Sequence, residues 1–276
     1  MEKKIRLVAF DLDGTTLNSG GKLSERNRRA MEKAAAAGVY IVPATGRGLD
    51  FLPTSLTELP FLRYAITANG AAVWDMQTKT CVGAHLISTE AALEAQKVFD
   101  EFGLYVEYYV NGSSVTLTGN PERARTVLQF PKEKFYFLSK NYLYVDDFSR
   151  WLRQERIRPE KINLMYIPEN VREDFFGEIQ KVPGLSLTYS NVDNMEINAE
   201  GCDKGTGLRT LCAVLGLRAE ETMAVGDNGN DLGMLRAAGF AAVVANGIEE
   251  AKAVADAIVA DYREDGFAEA VERFVL

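Results

Sequence analysis

Short apolar segments of β type alternate with helical segments at both ends of this 276-residue chain. The first, IRLVAF (residues 5–10), is followed by a stretch rich in helix formers, for which Ser24 is a suitable N-cap and Gly38 a suitable stop. Similar apolar segments are VYIVPATG (39–46), YAITANG (64–70), TMAVGD (222–227) and FAAVVANG (240–247). Strands that are apolar almost throughout and separated by helices are typical of a parallel sheet covered on both faces. We therefore predict a doubly wound, Rossmann-like α/β core, with IEEAKAVADAIVA (248–260) as one of its helices.

The middle of the chain follows a different pattern. GLYVEYYVNGSSVTLTG (103–119) and KFYFLSKNYLYV (134–145) alternate polar and apolar residues, and the Asn-Gly dipeptide in the first is a hairpin signal. Helical segments at 88–103 and 168–184 interrupt them. This mixture predicts an α+β unit with an antiparallel sheet. We expect a core formed by residues 1–82 and 190–276, with an α+β cap domain inserted at 83–189.

Composition narrows the classes of partner. A net charge of −8 and a pI near 5.0 leave no basic stripe for nucleic acid. A small phosphorylated ligand stays compatible with this charge, because a bound metal ion and one or two local cations can dominate the field in a site. The three cysteines (Cys81, Cys202 and Cys212) are far apart and lack metal-ligand spacing, which fits a reducing compartment. With no apolar run near the roughly 20 residues of a membrane span, we expect a cytoplasmic protein without a nucleic-acid or membrane partner.

Four polar segments stand where predicted strands end or helices begin. They are FDLDGT, ATGR, CDKGTG and GDNGND, and their polar and glycine candidates are Asp11, Asp13, Thr45, Gly46, Arg47, Lys204, Asp227, Asn230 and Asp231. Taken alone, DLDGT could equally be a strand that ends in a turn, with Asp as a turn former and Gly14 at a positive φ. In open α/β sheets, ligands collect at the carboxyl ends of the strands. The four segments together therefore predict one ligand site.

The order DxDGT, TGR, a single Lys and GDxxND resembles the haloacid dehalogenase superfamily of phosphohydrolases. More narrowly, FDLDGTTL, ATGR, ITANGA, KGTGL, GDNGNDLGML and EDGFAEAV resemble its Cof-type branch, whose cap lies between the TGR and Lys motifs. The resemblance implies a Mg²⁺-dependent phosphatase of small phosphorylated metabolites, sugar phosphates first, that acts through an aspartyl-phosphate intermediate.

The resemblance assigns the catalytic roles to the two acids of the first motif. Asp11 would be the nucleophile, since a carboxylate can form an aspartyl-phosphate that divides hydrolysis into two easier steps. Asp13 would be the general acid for the leaving oxygen and then the base for the attacking water. Both acids can point at one substrate beyond the end of the strand only if the backbone turns there. Gly14 is suited to permit that turn.

The resemblance also implies the metal ligands. The carboxylates of Asp11 and Asp227 and the backbone carbonyl of Asp13 would hold Mg²⁺, which prefers oxygen ligands. Asn230 and Asp231 either orient the groups around the metal or ligate it directly. For Asp231 there is a further alternative, an acid favoured by the dipole at a helix start.

Transfer of a phosphoryl group also needs donors for its oxygens. We expect the Thr45 hydroxyl, the Gly46 backbone N–H and the Lys204 ammonium to fill this role. The four candidate substrate contacts are Arg47, Asn69, Gly70 and Asn246. Each has a structural alternative: Arg47 could form a surface ion pair, and the other three could belong to turns. His85, the single histidine, receives no role.

Two other functions remain open from the sequence. One is a phosphotransferase or phosphomutase of the same superfamily, and the other is a non-catalytic sensor of phosphorylated metabolites. The sequence leaves open whether the protein is a monomer or a homodimer, and it does not identify the cap residues that select the substrate.

Overall fold

Short strands alternate with helices along the described part of the chain, which in this computed structural model comprises residues 4–128, 130–132, 138, 142–189 and 193–276. The strands are β1 Leu7–Phe10, β2 Tyr40–Pro43, β3 Tyr64–Thr67, β4 Ala72–Asp75, β5 Thr80–Ala84, β6 Glu107–Val110, β7 Ser113–Leu117, β8 Leu143–Val145, β9 Lys161–Leu164, β10 Leu185–Thr188, β11 Met195–Ala199, β12 Thr222–Gly226, β13 Phe240–Val244 and β14 Ala257–Val259. The α-helices are α1 Glu25–Ala36, α2 Thr54–Thr57, α3 Thr89–Glu101, α4 Asn120–Thr126, α5 Phe148–Gln154, α6 Glu169–Ile179, α7 Lys204–Leu215, α8 Leu232–Ala237, α9 Glu249–Lys252 and α10 Gly266–Phe274.

The chain divides into two compact units. Unit 1 comprises Met1–Ala84 and Cys202–Leu276, and unit 2 comprises His85–Gly201. The sequence boundaries were expected after residues 82 and 189. The first differs because β5 pairs with β4 and so stays with unit 1. The second is corrected to a later position because β11 pairs with β9 and β10, in the sheet of unit 2; residue 190, at the expected boundary, lies outside the described residues.

A five-stranded parallel sheet forms the centre of unit 1, in the order β14-β13-β12-β1-β2. The four residues of β1 are fully buried because both faces of the sheet are covered. Val8 and Phe10 pack into an apolar cluster with residues of α1 and α10, whereas Leu7 and Ala9 pack into a second cluster with residues of α7 and α8. This alternation between two cores confirms the predicted doubly wound α/β fold.

The ends of α1 are those that the sequence predicts. The Ser24 side chain accepts a hydrogen bond from the backbone N–H of Asn27 at 3.1 Å, which satisfies one of the donors left unpaired at a helix start. Gly38 follows the helix at φ +84°, a conformation that ends helices because glycine adopts it without steric cost. The start of helix α1 is therefore set by the Ser24 cap, and its end by the positive φ of Gly38.

Two predicted elements of unit 1 are corrected. β3 was expected in the parallel sheet, but it pairs antiparallel with β4 in a three-stranded sheet β3-β4-β5. Its link to the segment that follows β2 is a parallel bridge between Ala44 and Ile66. The helix expected over 248–260 ends at Lys252, and Ala257–Val259 forms the edge strand β14. The side chain of Asp256 accepts a hydrogen bond from Ala241 N at 2.7 Å, which aligns the following β-branched residues beside β13.

Unit 2 contains a six-stranded sheet in the order β10-β11-β9-β6-β7-β8. Its pairings are antiparallel except between β7 and β8, and helices α3–α6 belong to the same unit, as predicted for an α+β domain. The expected Asn-Gly hairpin joins β6 to β7, with Asn111 at φ 51° and Gly112 at φ 81°. Of the tyrosine-rich segment 134–145, only residues 138 and 142–145 are among those described.

In the described parts of both units, the helices are too short or too polar for any of them to cross a lipid bilayer.

Candidate active site

The backbone is fixed where β1 ends. Asp11 N donates to Val225 O of the neighbouring strand at 2.9 Å, and Asp11 O accepts from the Thr16 hydroxyl at 2.8 Å. The chain then turns at Gly14, whose φ is +85°. A Cβ on Gly14 would lie 2.7 Å from Asp227 Oδ2, so only glycine fits both the conformation and the space. The turn predicted after the two acids is therefore present.

This turn gives Asp11 and Asp13 different surroundings. The side chain of Asp11 is 9% exposed, whereas that of Asp13 is 60% exposed. The Asp13 carboxylate forms a bidentate ion pair with the Arg47 guanidinium, with Oδ2 2.9 Å from Nε and Oδ1 2.6 Å from Nη2. The surface ion pair weighed for Arg47 is thus formed, and its partner is the expected general acid.

Lys204 is the first residue of α7 and is fully buried. The Asp203 side chain caps the helix by accepting a hydrogen bond from Thr206 N at 2.6 Å, which fixes where the lysine begins the helix. The Lys204 ammonium donates to Asp11 Oδ1 at 2.5 Å and to Asp231 Oδ1 at 2.7 Å. Burial alone would lower the pKa of Lys204, but the two carboxylates outweigh it and the net effect raises this pKa.

Asp231 is buried at the start of the helical segment that follows β12. Its Oδ2 accepts hydrogen bonds from the backbone N–H groups of Asp227 at 2.9 Å and Asn228 at 3.0 Å, and its Oδ1 binds Lys204. Both oxygens of Asp231 are therefore engaged by donors of the protein. The helix-start alternative and the orienting role coexist in this one residue, which holds the Asp227 backbone and the Lys204 ammonium together.

Asp227 directly follows β12 and contacts the loop after β1. Its Oδ1 accepts a hydrogen bond from the Thr15 hydroxyl at 2.7 Å. Burial raises the pKa of Asp227 to about 6; the Thr15 hydrogen bond opposes this shift and the charge of Asp231 adds to it. Burial likewise raises the pKa of Asp11, against the opposing charge of Lys204. Three carboxylates gather here beside the Lys204 ammonium, so that ammonium compensates their negative charge only in part.

The donor set fits a hard divalent cation. Carboxylate oxygens of Asp11, Asp227 and Asp231 all lie within 4.8 Å of one another. Oxygen-only ligands are those that Mg²⁺ prefers, and a cation would offset the excess of carboxylates over the Lys204 charge. Since the oxygens of Asp231 already accept three hydrogen bonds, Asp11 and Asp227 are the better carboxylate ligands.

The loop after β2 is tied to the turn after β3. Thr45 N donates to Ile66 O at 3.0 Å, and Thr45 O accepts from Asn69 N at 3.0 Å. The turn at Ala68–Gly70 has three successive positive φ angles, 51°, 58° and 95°. A Cβ on Gly70 would lie 1.9 Å from Asp203 O, at the start of α7. Asn69 and Gly70 therefore have a structural part in joining the Thr45 loop to the Lys204 helix.

The remaining candidates are placed less centrally. Asn230 is exposed in the turn before α8. Asn246 Nδ2 donates to Gly14 O at 2.8 Å, and Asn246 Oδ1 accepts from Tyr262 N at 3.0 Å, so this side chain supports the turn at Gly14. His85, given no role, lies in unit 2 with its Nε2 3.1 Å from Glu200 O.

Two functional positions were missed by reasoning from the sequence. Thr15, which binds Asp227, belongs to the quoted DxDGT motif, and its hydroxyl was the available signal. Asp203, which caps the Lys204 helix, immediately precedes the lysine and has the residue type preferred at an N-cap. Both residues hold or precede a candidate side chain, and the sequence places both inside the quoted motifs.

Comparison with known proteins agrees with this arrangement. Residues 8–271 match the family model described as haloacid dehalogenase-like hydrolase. The chain belongs to this family. It is 30% identical over 274 residues to the 5-amino-6-(5-phospho-D-ribitylamino)uracil phosphatase YcsE of Bacillus subtilis, covering 99% of this chain and 96% of the relative. It is 27% identical over 267 residues to the pyridoxal phosphate phosphatase YbhA of Escherichia coli, covering 96% of each.

A solved structure supports the same assignment. The crystal structure of TM0651 from Thermotoga maritima superposes with a TM-score of 0.81 at 25% identity, covering 98% of this chain and 97% of the other. The family match, the phosphatase relatives and the shared fold identify this haloacid dehalogenase-like hydrolase as a phosphatase of the Cof-type branch.

Proposed function

We propose that this phosphatase hydrolyses small phosphorylated metabolites, sugar phosphates first, in a Mg²⁺-dependent reaction through an aspartyl-phosphate on Asp11. The observation that carries the proposal is the buried Asp11 carboxylate at the end of β1, bound to the Lys204 ammonium beside Asp227. The similar proteins YcsE and YbhA are named as phosphatases of small phosphorylated molecules, which supports this substrate class.

The first half of the proposed reaction transfers the phosphoryl group to the enzyme. A carboxylate oxygen of Asp11 attacks phosphorus while the bond from phosphorus to the ester oxygen breaks. Asp13 gives a proton to the departing oxygen. Lys204 holds Asp11 Oδ1, so the orientation of the nucleophile is set before the substrate arrives.

The second half returns the enzyme to its starting state. Asp13 takes a proton from water as the water oxygen bonds to phosphorus and the bond to Asp11 breaks. Inorganic phosphate is released, and both acids regain their first form. One strand end thus supplies the nucleophile and its proton shuttle.

Several groups would hold the phosphoryl oxygens. The Thr45 hydroxyl oxygen accepts from Arg47 N at 3.2 Å, so its own hydrogen can be donated to the phosphoryl group. Lys204 uses two of the three ammonium hydrogens for Asp11 and Asp231, which leaves the third for the phosphoryl group. Gly46 N–H is the remaining proposed donor. Mg²⁺, held by Asp11, Asp227 and the Asp13 carbonyl, would neutralise charge on the transferred group.

We further propose that unit 1 is the hydrolase core and unit 2 the cap that selects the substrate. Unit 1 contains the residues given catalytic and phosphate-binding roles, and unit 2 is the α+β insertion. A cap would keep bulk water from the site during attack by Asp11.

The test is turnover of a panel of phosphorylated sugars, nucleotides and cofactors with Mg²⁺ and with a chelator. We expect Mg²⁺-dependent release of inorganic phosphate, highest with sugar phosphates. Transfer of the phosphoryl group to a second sugar instead of water would favour a phosphotransferase. Absence of turnover with every compound would contradict the proposal.

A further inference from the structure

The ion pair between Arg47 and Asp13 has a geometry suited to orientation. Arg47 Nε donates to Asp13 Oδ2 at 2.9 Å, and Arg47 Nη2 donates to Asp13 Oδ1 at 2.6 Å. Two parallel hydrogen bonds from a planar guanidinium fix the plane of a carboxylate as well as its position. Without them, the exposed Asp13 side chain would be free to adopt other staggered rotamers.

Arg47 is itself anchored by the loop that carries the phosphate-binding residues. Its backbone N donates to Thr45 Oγ1 at 3.2 Å, and its backbone O accepts from Ala68 N at 2.8 Å. Its Nη1 donates to Phe51 O at 3.3 Å. The position of the guanidinium is therefore set by the same backbone that places Thr45. Through its two hydrogen bonds, the guanidinium in turn fixes the Asp13 carboxylate.

We propose that Arg47 is a positioning residue for Asp13 rather than a substrate contact. This inference rests on the proposed function, in which Asp13 protonates the leaving oxygen as the ester bond breaks. Arg47 fixes the position and plane of the Asp13 carboxyl group, and general acid catalysis requires such a fixed proton donor.

The leaving group provides a test that a merely structural role would not satisfy. Nitrophenolate leaves without a proton, whereas phenolate is a poorer leaving group that benefits from one. We therefore compare kcat/KM for p-nitrophenyl phosphate and phenyl phosphate, because this ratio reports the step that expels the leaving group. For Arg47→Ala we expect a loss of about tenfold or more with phenyl phosphate and about threefold or less with p-nitrophenyl phosphate.

Further variants show whether the effect passes through Asp13. Asp13→Asn should give the same selectivity with a larger loss, and adding Arg47→Ala to it should cause no further loss, because residues that act as one unit are not additive. Arg47→Lys should recover only part of the activity towards phenyl phosphate, since an ammonium cannot form the two parallel bonds. If Arg47→Ala has a lowered melting temperature, the test rests on Arg47→Lys, which should also lose more kcat/KM with phenyl phosphate than with p-nitrophenyl phosphate.

A matched control is available in unit 1. Arg26 pairs on the surface with Glu272, at 2.8 Å between Nη2 and Oε2. Arg26→Ala should leave kcat/KM unchanged for both substrates. Equal losses with the two phosphates in Arg47→Ala, arising mainly from KM, would assign Arg47 to substrate binding and overturn the inference. Additive losses in the double variant would overturn it as well. Failure of the wild-type enzyme to hydrolyse either phosphate would instead refute the proposed function on which the inference rests.

Discussion

Both units bury charged side chains, but the two clusters differ in charge balance. In unit 1, one ammonium, that of Lys204, binds the carboxylates of Asp11 and Asp231, and Asp227 places a third carboxylate oxygen within 4.8 Å of theirs. These four side chains carry an excess of negative charge, and burial raises the pKa of both Asp11 and Asp227. Among the described residues, three carboxylates of this cluster meet one ammonium, a balance suited to the divalent cation proposed above.

The cluster of unit 2 is satisfied internally. Lys161 is buried and pairs with Glu196 at 2.7 Å, with its ammonium 4.6 Å from the centroid of the Tyr109 ring. The nearby Glu107 is fully buried and is bonded by neutral donors: the hydroxyls of Tyr105 and Tyr142 and the Asn163 amide at 3.0 Å. Buried charges that are fully hydrogen-bonded stabilise one arrangement of a sheet without requiring a ligand.

Burial of charged side chains occurs in both units, so it is not by itself a sign of catalysis. What separates the clusters is that three carboxylates gather around one ammonium at strand ends in unit 1. In unit 2, two carboxylates and one ammonium lie along strands, and Glu107, the acid outside the ion pair, is held by neutral donors. If this reasoning holds, neutralising one acid in each unit should have opposite consequences for turnover and for stability.

The largest expected effect is that of Asp11→Asn on turnover. The amide cannot act as the nucleophile, so kcat with p-nitrophenyl phosphate should fall by about 10³-fold or more. The fold should persist, because the amide oxygen can still accept the Lys204 hydrogen bond and one desolvated charge is removed. Circular dichroism and thermal melting would establish folding. Substantial residual turnover would show that the unit 1 cluster is not the catalytic centre and would end the contrast.

The next effect tests the backbone that supports the unit 1 cluster. Gly70→Ala places a Cβ 1.9 Å from Asp203 O at φ +95°, so it should destabilise the protein by about 3 kcal/mol and disturb Lys204. Gly216, at the other end of α7, has φ +65°, and beyond its own chain neighbours no described residue comes within 4 Å of its Cβ position. Gly216→Ala should therefore cost only about 1 kcal/mol. Chemical denaturation measures both. Equal losses would mean that the close approach to Asp203 has no energetic consequence.

A smaller effect is expected when Mg²⁺ is removed, and it should differ between variants of unit 1 and of unit 2. Mg²⁺ at about 100 times its dissociation constant should stabilise the wild-type protein by about 2.7 kcal/mol, because the ion binds the folded state. This gain should be lost in Asp227→Asn and kept in a unit 2 variant such as Glu107→Gln. Since the pKa of Asp227 is raised to about 6, Mg²⁺ affinity should decrease as the pH falls towards that value, where the ion competes with a proton. Thermal melting in Mg²⁺ and in chelator measures these effects, and equal stabilisation of Asp227→Asn would exclude Asp227 as a ligand.

Local and periodic signals account for what the sequence could predict. Apolar strands separated by helices indicate a parallel sheet whatever their order, and Ser24 and the Asn111–Gly112 turn act through their immediate neighbours. The motif acids were predicted to converge because strand ends share one edge of a sheet. The pairing of β11 with β9, the short helix α9, and the Arg47–Asp13 pair depend on which segments meet in three dimensions. Periodicity carries no information on such meetings.

The smallest expected effect concerns Glu107→Gln in unit 2. Glutamine keeps the shape of the side chain and still accepts hydrogen bonds from the hydroxyls of Tyr105 and Tyr142 through its carbonyl oxygen. Burial and the Glu107 charge raise the pKa of both tyrosines, so they remain neutral donors. The new amide group would face the Asn163 donor at the other oxygen, and we expect a loss of about 1 kcal/mol unless the Asn163 amide turns over.

For the same variant, kcat with p-nitrophenyl phosphate should change by about twofold or less, because Glu107 has a purely structural role in this comparison. Denaturant unfolding and steady-state kinetics on Glu107→Gln and Asp11→Asn, measured side by side, give the contrast directly. A large loss of turnover in Glu107→Gln without a loss of stability would show that the buried acid of unit 2 also serves the reaction. Charge balance would then no longer separate a structural cluster from a catalytic one.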